Sequence, residues 1–534
     1  MNERPILKNK FYLYLTEFFS GVSVMAVELG ASRLLAPYFS SSQIVWTIII
    51  GTIMIAMALG NLWGGKNADK DPNPDKLYKR LLIAAVWIAA IPFLGRYIII
   101  GITGLLVLAI STNLLIIAAF ASCMVIFVFP LFLLGTVTPS LVKYTVDSLS
   151  DNGKTVGTLG AANTIGSIIG TFLPTFVTIP AVGTSVTFLL FSGILLAIGI
   201  IYFLSGKSGK KACVISVFAF IIFSFCGHKS SFAFWDKTLS YEGESVYNYL
   251  QVKDYSDRTV LSTNVIFGVQ SVKMKKDGLT GMYYDYAMAA PVMAGISQKK
   301  DADILVLGNG TGTYASQCRK YFPNAKVTGV EIDKKITGLA GEYFGMPKDT
   351  DVCEYDGRAY IQETKEKYDV IFVDAYQDIT IPFQMSSKEF FTLVYEHLKD
   401  GGVMVMNMNM HSDGKGSINQ ALSDTVSSVF GTVYTADVPS NTNRELFAGK
   451  KLNIPSSFKD NIKNTEGELG TMAENISDGL TKYEPQNMLL TDDKAPVEVM
   501  GMKLLDTYIS QELSYYRSVF KENGIKGLIN EING

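Results

Sequence analysis

The sequence has little histidine and no clustered cysteine, and both shortages limit the chemistry open to it. Only three histidines occur in 534 residues, which argues against a histidine-rich metal centre. The five cysteines are widely spaced and form no CxxC pair, so neither a disulfide framework nor a structural zinc site is predicted. A net charge of -2 gives no electrostatic basis for binding nucleic acid. We therefore expect neither a metal nor a nucleic-acid partner.

Charged residues are also scarce between Phe11 and about Cys226, where long apolar runs dominate. A helix needs ~20 mostly apolar residues to cross a bilayer. Seven spans are predicted, near residues 12–36, 43–64, 81–102, 113–139, 156–180, 184–204 and 211–227. The stretch 81–139 is open to a second interpretation, three helices instead of two, because Arg96 and Asn113 interrupt it. We therefore expect this region to lie in the lipid bilayer.

The first predicted span contains three ionisable side chains, Glu17, Glu28 and Arg33. Such groups are costly at membrane depth and usually face the interior of a helix bundle. Two interpretations stay open: a Glu28–Arg33 pair that reaches the membrane surface, or a cation or amine site that faces the bundle. Small residues at helical spacing in 157–171 predict close helix packing.

The second half of the sequence has the composition of a soluble α/β protein. Residues 239–276 alternate polar and apolar side chains, which predicts a small antiparallel sheet. From Asp303 onward, short apolar strands alternate with helices, which indicates a parallel sheet covered on both faces. The polar stretch 451–490 is interpreted as an irregular insertion. The predicted domains are a transmembrane domain (1–230), a small antiparallel β domain (231–290) and a Rossmann-like domain (291–534).

A glycine-rich turn and an acidic residue follow the first two strands of the α/β domain. Ligands of doubly wound sheets bind beyond the carboxyl ends of the strands. Gly308, Gly310 and Gly312 would let the backbone approach a ligand closely. Glu331 ends the second strand and would accept hydrogen bonds from both ribose hydroxyls. These residues alone fit NAD and an adenosyl sulfonium equally well.

Two further acids favour the sulfonium. Asp356, followed by Gly357, comes after the third strand and suits the exocyclic amine of adenine. Asp374 ends the fourth strand, where the reacting carbon would lie. We therefore predict a cofactor of the S-adenosylmethionine type.

Several segments carry a resemblance to a known family. They are ELGASRLLAPYFSSSQIVWT (28–47), GAANTIGSIIGTFLP (160–174), ESVYNYLQV (244–252), LVLGNGTGT (305–313), VEID (330–333), VDAYQDITIPFQMSSKEFF (373–391) and LTDDKAPVE (490–498). The sequence resembles the spermidine synthase family of aminopropyltransferases, and most closely its membrane-fused branch. The resemblance implies transfer of an aminopropyl group from decarboxylated S-adenosylmethionine to a diamine, without a metal.

The resemblance also implies roles for individual residues. Asp374 is the candidate base that takes a proton from the attacking amine, and Tyr376 helps to orient that amine. Gln270 falls where the family contacts the nucleoside. Tyr247, together with Tyr284 and Asp285 of the Tyr283–Asp285 cluster, would line the amine side, where aromatic faces suit a cation.

Two departures from the family pattern keep other functions open. Thr311 stands where the family has an aspartate that pairs with the aminopropyl ammonium, and the loop after the fourth strand is DAYQDITIP. Asp285 or Asp378 would restore the missing anion. One alternative is a methyl or alkyl transferase that uses ordinary S-adenosylmethionine on a membrane-delivered substrate. Another is a transporter or sensor with a non-catalytic nucleoside- or polyamine-binding domain, in which Glu17 and Glu28 would be the working residues.

The positions of lysine and arginine predict the orientation in the membrane. Short loops near 37–42, 103–112 and 180–184 carry no basic residue, whereas the intervening loops do. The positive-inside rule then places the amino terminus in the cytoplasm, and seven spans would leave the soluble half outside. Because adenosyl cofactors are supplied in the cytoplasm, we expect the soluble half there, against this charge pattern. A homodimer is a further expectation.

Overall fold

The computed structural model describes residues 4–110, 112–145, 152–206, 209–229, 231–265, 268–347, 350–376, 381–439 and 442–533. Its contacts divide the chain into two compact units. The helical unit comprises residues 1–235, 242–249 and 513–534, and the α/β unit comprises 236–241 and 250–512. The division into three domains stays a prediction.

The helical unit is built from nine helices over the described part of residues 4–235. They are α1 (Lys10–Phe39), α2 (Gln43–Lys70), α3 (Pro74–Ala109), α4 (Leu114–Ile126), α5 (Val128–Gly135), α6 (Val137–Thr145), α7 (Asn152–Leu173), α8 (Ile179–Leu204) and α9 (Lys210–Gly227). Asn9 and Ser42 cap α1 and α2 through their side-chain oxygens, as expected for such residues at helix starts.

Within the described residues, six helical segments are long and apolar enough to cross a membrane. One of them, Gly153–Leu204, contains two predicted spans, because α7 continues through a π-helical turn into α8. The predicted span 113–139 is instead broken near Phe127 into α4 and α5. Arg96 does not interrupt α3, which runs from Pro74 to Ala109. Its guanidinium donates a 2.8 Å hydrogen bond to the carbonyl of Ser231.

Helices α1 and α7 approach each other closely through glycine. A Cβ atom added at Gly166 would lie 2.1 Å from the Phe18 carbonyl oxygen, and one at Gly170 would lie 2.3 Å from that of Val22. From the other side, a Cβ at Gly21 would lie 2.4 Å from the Asn163 carbonyl oxygen. The predicted small-residue packing of 157–171 is therefore present between these two helices.

A four-stranded sheet precedes the larger one. Its strands, in spatial order, are β1 (Leu239–Glu244), β2 (Tyr249–Asp254), β3 (Arg258–Ser262) and β4 (Ser271–Met274). The pairs β2–β3 and β3–β4 are antiparallel, as predicted. Leu250, Val252 and Leu261 of this sheet share a core with apolar residues of the later segment 336–344.

The larger sheet has eight strands in the order β12-β10-β11-β9-β8-β5-β6-β7. They are β5 (Ala302–Leu307), β6 (Ala325–Val330), β7 (Asp351–Cys353), β8 (Tyr368–Val373), β9 (Leu398–Met408), β10 (Val433–Asp437), β11 (Arg444–Gly449) and β12 (Thr481–Lys482). Strands β5 to β9 are parallel, but β10, β11 and β12 pair antiparallel. The predicted parallel arrangement is therefore present in β5, β6, β8 and β9. The sheet as a whole is mixed, because the short connection between β10 and β11 permits only an antiparallel pair.

Helices cover both faces of this sheet. The helices of this half of the chain are α10 (Tyr283–Ala287), α11 (Ala289–Met293), α12 (Thr313–Tyr321), α13 (Lys334–Tyr343), α14 (Gly357–Glu363), α15 (Lys388–His397), α16 (Ile418–Phe430), α17 (Ile454–Ile462), α18 (Gly467–Gly479) and α19 (Val497–Asn533). Of these, α13 packs on the four-stranded sheet, and α19 continues into the helical unit. The predicted irregular insertion 451–490 was wrong, since it contains α17, α18 and β12. Asn453 caps α17, and Ile454 and Phe458 are buried one turn apart.

Candidate active site

The site is centred on Asp374, which follows β8 at the carboxyl edge of the parallel strands. The Tyr283 hydroxyl donates a 2.8 Å hydrogen bond to Oδ2, and Nδ2 of Asn407 donates a 2.9 Å hydrogen bond to Oδ1. Burial raises the pKa of Asp374 to about 7, although both hydrogen bonds favour the charged form. The carboxyl is therefore poised to exchange a proton near neutral pH.

The glycine-rich turn after β5 lies against the backbone of this acid. Gly308 has φ +89°, and a Cβ there would be 2.5 Å from the Asp374 carbonyl oxygen. Gly310 has φ +54°, and a Cβ there would be 2.5 Å from Oγ of Ser271. Gly312 also has positive φ, +81°. The turn therefore needs glycine both for its conformation and for its close approach to neighbouring backbone.

Glu331 holds the same turn. Its Oε2 accepts a 2.8 Å hydrogen bond from the amide of Gly310, and its Oε1 accepts a 2.9 Å bond from the amide of Asp333. Burial raises the pKa of Glu331 to about 7. Each carboxylate oxygen keeps a further lone pair, which is the chemistry needed to accept a ribose hydroxyl.

The turn carries polar groups that fit an adenosyl ligand. Both amide atoms of Asn309 and Oγ1 of Thr311 are buried and have no hydrogen-bond partner within the described parts of the chain. Buried polar groups are nearly always paired, so these atoms mark positions where ligand donors and acceptors fit. In the ranges that the structure covers, no group of three or more His, Cys, Asp or Glu side chains could hold a metal ion.

Asp356 begins α14, where its Oδ1 accepts a 2.8 Å hydrogen bond from the amide of Ala359. It thus caps the helix, with Gly357 as the first helical residue. The half-buried Asp356 lies after β7, at the same edge of the sheet as Asp374, and the two strands β5 and β6 lie between β7 and β8. A role in contacting adenine stays a prediction.

The residues predicted to line the amine side have other contacts as well. Tyr284 donates a 2.8 Å hydrogen bond to the carbonyl of Gln270. The oxygens of Asp285 accept hydrogen bonds from the backbone amides of Thr280 and Gly281 and from Gln317. Asp285 therefore fixes the turn before α10. Asp378 lies outside the described residues.

Tyr376 lies close to the Asp374 network. Its hydroxyl donates to the carbonyl of Asn407 and accepts a 3.1 Å hydrogen bond from the amide of Asn409. It therefore fixes the end of β9, whose Asn407 side chain binds Asp374. The predicted role of Tyr376 in orienting the amine would operate through this position.

The remaining predicted residues belong to the helical unit. Tyr247 is about half exposed, at 48%. The Arg33 guanidinium donates to the carbonyls of Ser245 and Val246, and Glu28 is half-buried on the same helix. Glu17 is fully buried, and its Oε1 accepts hydrogen bonds from Thr138 of α6 and Asn163 of α7, at 2.5 and 2.8 Å.

Two residues near Asp374 were missed from the sequence, Asn407 and Glu445, whereas Tyr283 belongs to the predicted Tyr283–Asp285 cluster. Asn407 is a polar residue in the apolar run at the end of β9, and Glu445 is the second residue of β11, directly before Leu446, Phe447 and Ala448. A search for polar residues at buried strand positions would have found both.

Comparisons with known proteins found a matching family model and several related sequences. Residues 285–450 match the family model for the spermine/spermidine synthase domain. A probable polyamine aminopropyl transferase of Bifidobacterium longum is 54% identical over 355 residues, which cover 62% of this chain and 78% of that protein. A polyamine aminopropyltransferase of Vibrio vulnificus is 26% identical over 291 residues, with coverages of 52% and 95%.

Solved structures include the spermidine synthase of Thermotoga maritima. It matches with a TM-score of 0.37 and 20% identity, over 52% of this chain and 88% of that one. The fold and the site define a Rossmann-like transferase. By its similarity to the Bifidobacterium protein, this chain belongs to the polyamine aminopropyltransferase family, and the resemblance inferred from its motifs is confirmed.

Proposed function

We propose that this chain transfers an aminopropyl group from decarboxylated S-adenosylmethionine to a diamine. The observation that carries the proposal is the position of Asp374, a buried carboxyl with a pKa of about 7 whose backbone touches the glycine-rich turn. A ligand on that turn would bring its reacting carbon next to the acid. Membership of the aminopropyltransferase family supports the same reaction.

When bound, the sulfonium cofactor supplies the electrophilic carbon. An amine can attack that carbon only after losing a proton, because an ammonium has no lone pair. Asp374 accepts the proton, and its pKa near neutrality leaves a large fraction of the carboxylate available while keeping it basic enough. As the carbon–nitrogen bond forms, the carbon–sulfur bond breaks and its electron pair stays on sulfur.

The partners of Asp374 orient it for this transfer. Tyr283 and Asn407 each hold one carboxylate oxygen, so the carboxyl plane is fixed while a second lone pair on each oxygen stays open. Burial and the nearby Asp374 charge raise the pKa of Tyr283, which therefore remains a donor at neutral pH. Glu331 and the turn at Gly310 would hold the nucleoside.

The test is product formation by the purified full chain. Mass analysis should detect a polyamine after incubation with decarboxylated S-adenosylmethionine and putrescine. Asp374→Asn should lower kcat by about 10²–10⁴-fold, with little change in the calorimetric Kd for the cofactor. Asp400→Asn is the matched control, because Asp400 is exposed and pairs only with the surface Lys451 among the charged groups described near it.

Other outcomes separate the alternatives. Turnover with ordinary S-adenosylmethionine instead would support a methyl or alkyl transferase, to which Thr311 is better suited than an aspartate. If a nucleoside bound tightly but neither cofactor gave a product, the aminopropyltransferase and the methyl or alkyl transferase hypotheses would both be wrong. That result would favour a sensor or transporter. If neither cofactor bound, the prediction of an S-adenosylmethionine-type cofactor would be wrong.

We also propose that the helical unit lies in the cell membrane and that the α/β unit faces the cytoplasm. The six apolar segments support membrane insertion, and the supply of adenosyl cofactors supports the cytoplasmic side. A cysteine introduced at the exposed Ser256, in a Cys226→Ser background, tests the orientation in intact cells. An impermeant thiol reagent should label it only after permeabilisation; labelling of intact cells would overturn the cytoplasmic placement. The bilayer and a second copy of this chain are the remaining proposed partners.

A further inference from the structure

Glu445 is a carboxylic acid that is fully buried, which is rare for an acidic side chain. It is the second residue of β11, its exposed fraction is 0%, and neither carboxyl oxygen has a hydrogen-bond partner among the residues that the structure describes. Burying a carboxyl without a partner is strongly unfavourable. A residue kept at this cost needs a physical reason.

Its position in the sheet connects it to the candidate base. Glu445 pairs in register with Asn407 of β9, and directly paired residues on neighbouring strands point to the same face. Asn407 donates to Oδ1 of Asp374 and accepts a 2.8 Å hydrogen bond from Nδ2 of Asn443. One amide side chain therefore separates the two buried carboxyls.

The other acids of the site already accept hydrogen bonds from the protein. Both oxygens of Asp374 and both oxygens of Glu331 accept hydrogen bonds. The oxygens of Asp285 hold the turn before α10. Among these acids, Glu445 is the one whose two oxygens both lack a hydrogen-bond partner within the described residues.

The surroundings of Glu445 suit a cation. Burial and, to a smaller extent, the charge of Asp374 raise the pKa of Glu445, so a second negative charge there is disfavoured until a positive group enters. Glu445 also interacts electrostatically with Tyr314 and Tyr376, whose aromatic rings attract cations. Thr311, at the glycine-rich turn, carries no negative charge that could pair with an ammonium.

We propose that Glu445 is the carboxylate that binds the non-reacting ammonium of a ligand in the active site. The inference rests on the proposed aminopropyl transfer and identifies how the site would select its ligands. Two sources carry the same chemistry: the far amine of the diamine, and the aminopropyl ammonium of the cofactor. Asp374 and Glu445 flank the central strand β9, about 10 Å apart at two strand spacings. That separation suits an ammonium several bonds away from the reacting nitrogen.

The test compares ligands with and without the second ammonium. For the acceptor, putrescine is compared with n-butylamine; for the cofactor, decarboxylated S-adenosylmethionine is compared with 5′-methylthioadenosine. Glu445→Gln should raise the KM or Kd of the dication or of the ammonium-bearing cofactor at least about tenfold. The matched ligand without that ammonium should bind unchanged, and kcat at saturation should change little. If the variant no longer prefers putrescine to n-butylamine, the bound ammonium is that of the diamine. If it no longer prefers decarboxylated S-adenosylmethionine to 5′-methylthioadenosine, the bound ammonium is that of the cofactor.

Two controls keep the inference falsifiable. Glu445→Asp retains the charge with a shorter reach and should restore part of the preference, which also covers the case in which Glu445→Gln does not fold. Glu484→Gln removes an exposed carboxyl of the same unit, 76% accessible, and should change nothing.

The inference fails if Glu445→Gln binds all four ligands as the wild type does, or if Glu445→Asp behaves like a full loss. Failure of the proposed reaction is a different result. If the wild type makes no product but calorimetry shows a Glu445-dependent preference for an ammonium-bearing ligand, the reaction is wrong and the Glu445 assignment stands.

Discussion

The Tyr283 hydroxyl and Oδ2 of Asp374 lie 2.8 Å apart, and the hydrogen bond joins residues 91 positions apart in the chain. Tyr283 comes from α10 and Asp374 from the end of β8. The bond favours the charged carboxylate, whereas burial favours the neutral acid. The pKa of the base is thus set by burial, which is opposed by the hydrogen bonds from Asn407 and Tyr283. Deleting a single oxygen atom, the Tyr283 hydroxyl, removes one of these bonds.

Tyr283→Phe should shift the pH dependence of the reaction. Without the hydroxyl, the carboxylate loses a donor, so the pKa of Asp374 rises further above 7. We expect the acidic limb of the kcat/KM profile to move up by about one pH unit, since a hydrogen bond to a charged group contributes ~1.5–3 kcal/mol. Rates measured between pH 5.5 and 9.5 check this. Tyr286→Phe, on the same helix, should leave the midpoint in place; an unshifted Tyr283→Phe profile would exclude Asp374 as the titrating base.

Asp374→Asn should make the protein more stable, and increasingly so as the pH rises. The pKa of Asp374 is raised from 3.8 to about 7 on folding, so between those values the folded chain holds a proton that the unfolded chain releases. The free energy of unfolding contributed by this group therefore falls as the pH rises through the window. Asparagine does not titrate, so the advantage of the variant should grow to a few kcal/mol, at most ~4, by pH 7.

Unfolding of both proteins in one detergent, at several pH values from 4.5 to 7.5, measures that difference. Asp400→Asn, which changes an exposed acid beside Lys451, should show no such growing advantage. A constant difference between Asp374→Asn and wild type would mean that Asp374 titrates as an ordinary aspartate in the folded chain.

Gly308→Ala should disable ligand binding. Its φ of +89° is strained for alanine, and the new Cβ would lie 2.5 Å from the Asp374 carbonyl oxygen. We expect a loss of at least ~1–3 kcal/mol of stability from strain alone and at least about tenfold weaker binding of 5′-methylthioadenosine. Gly338→Ala is the matched control, because a Cβ there meets nothing within 4 Å and lies inside α13; it should stabilise by ~0.5–1 kcal/mol. Equal behaviour of the two variants would contradict the described turn.

Gly166→Ala should weaken the packing of α1 against α7. A Cβ would lie 2.1 Å from the carbonyl oxygen of Phe18, so the helices must separate, at a cost of about 1–3 kcal/mol. Gly160→Ala on the same helix faces open space and should be neutral or slightly stabilising. Melting of the detergent-solubilised full chain compares the two; a melting temperature for Gly166→Ala as high as that for Gly160→Ala would show that α1 and α7 do not approach this closely.

The sequence predicted the residues whose signals are local. Gly308, Glu331 and Asp374 each end an apolar strand, and strand ends of parallel sheets meet at one edge. Asn407 and Glu445 are polar residues within buried strands, but their position beside Asp374 comes from pairing between distant segments, which no local pattern predicts. The register that sets Glu445 beside Asn407 depends on β11 running antiparallel to β9, which the strand pattern alone did not reveal. Segment 451–490 was misjudged because α17 has a narrow apolar face in a polar background.

The contact between Gly308 and Asp374 has a consequence for how the family could diversify. The Asp374 amide donates to the Leu307 carbonyl at 2.9 Å, one residue beyond the register pair Leu307–Val373 of β5 and β8. The alignment of electrophile and base is thus built into two adjacent central strands. The proposed ammonium-binding residue Glu445 comes instead from β11, so a substitution there can change which amine is accepted without altering the contact between Gly308 and Asp374.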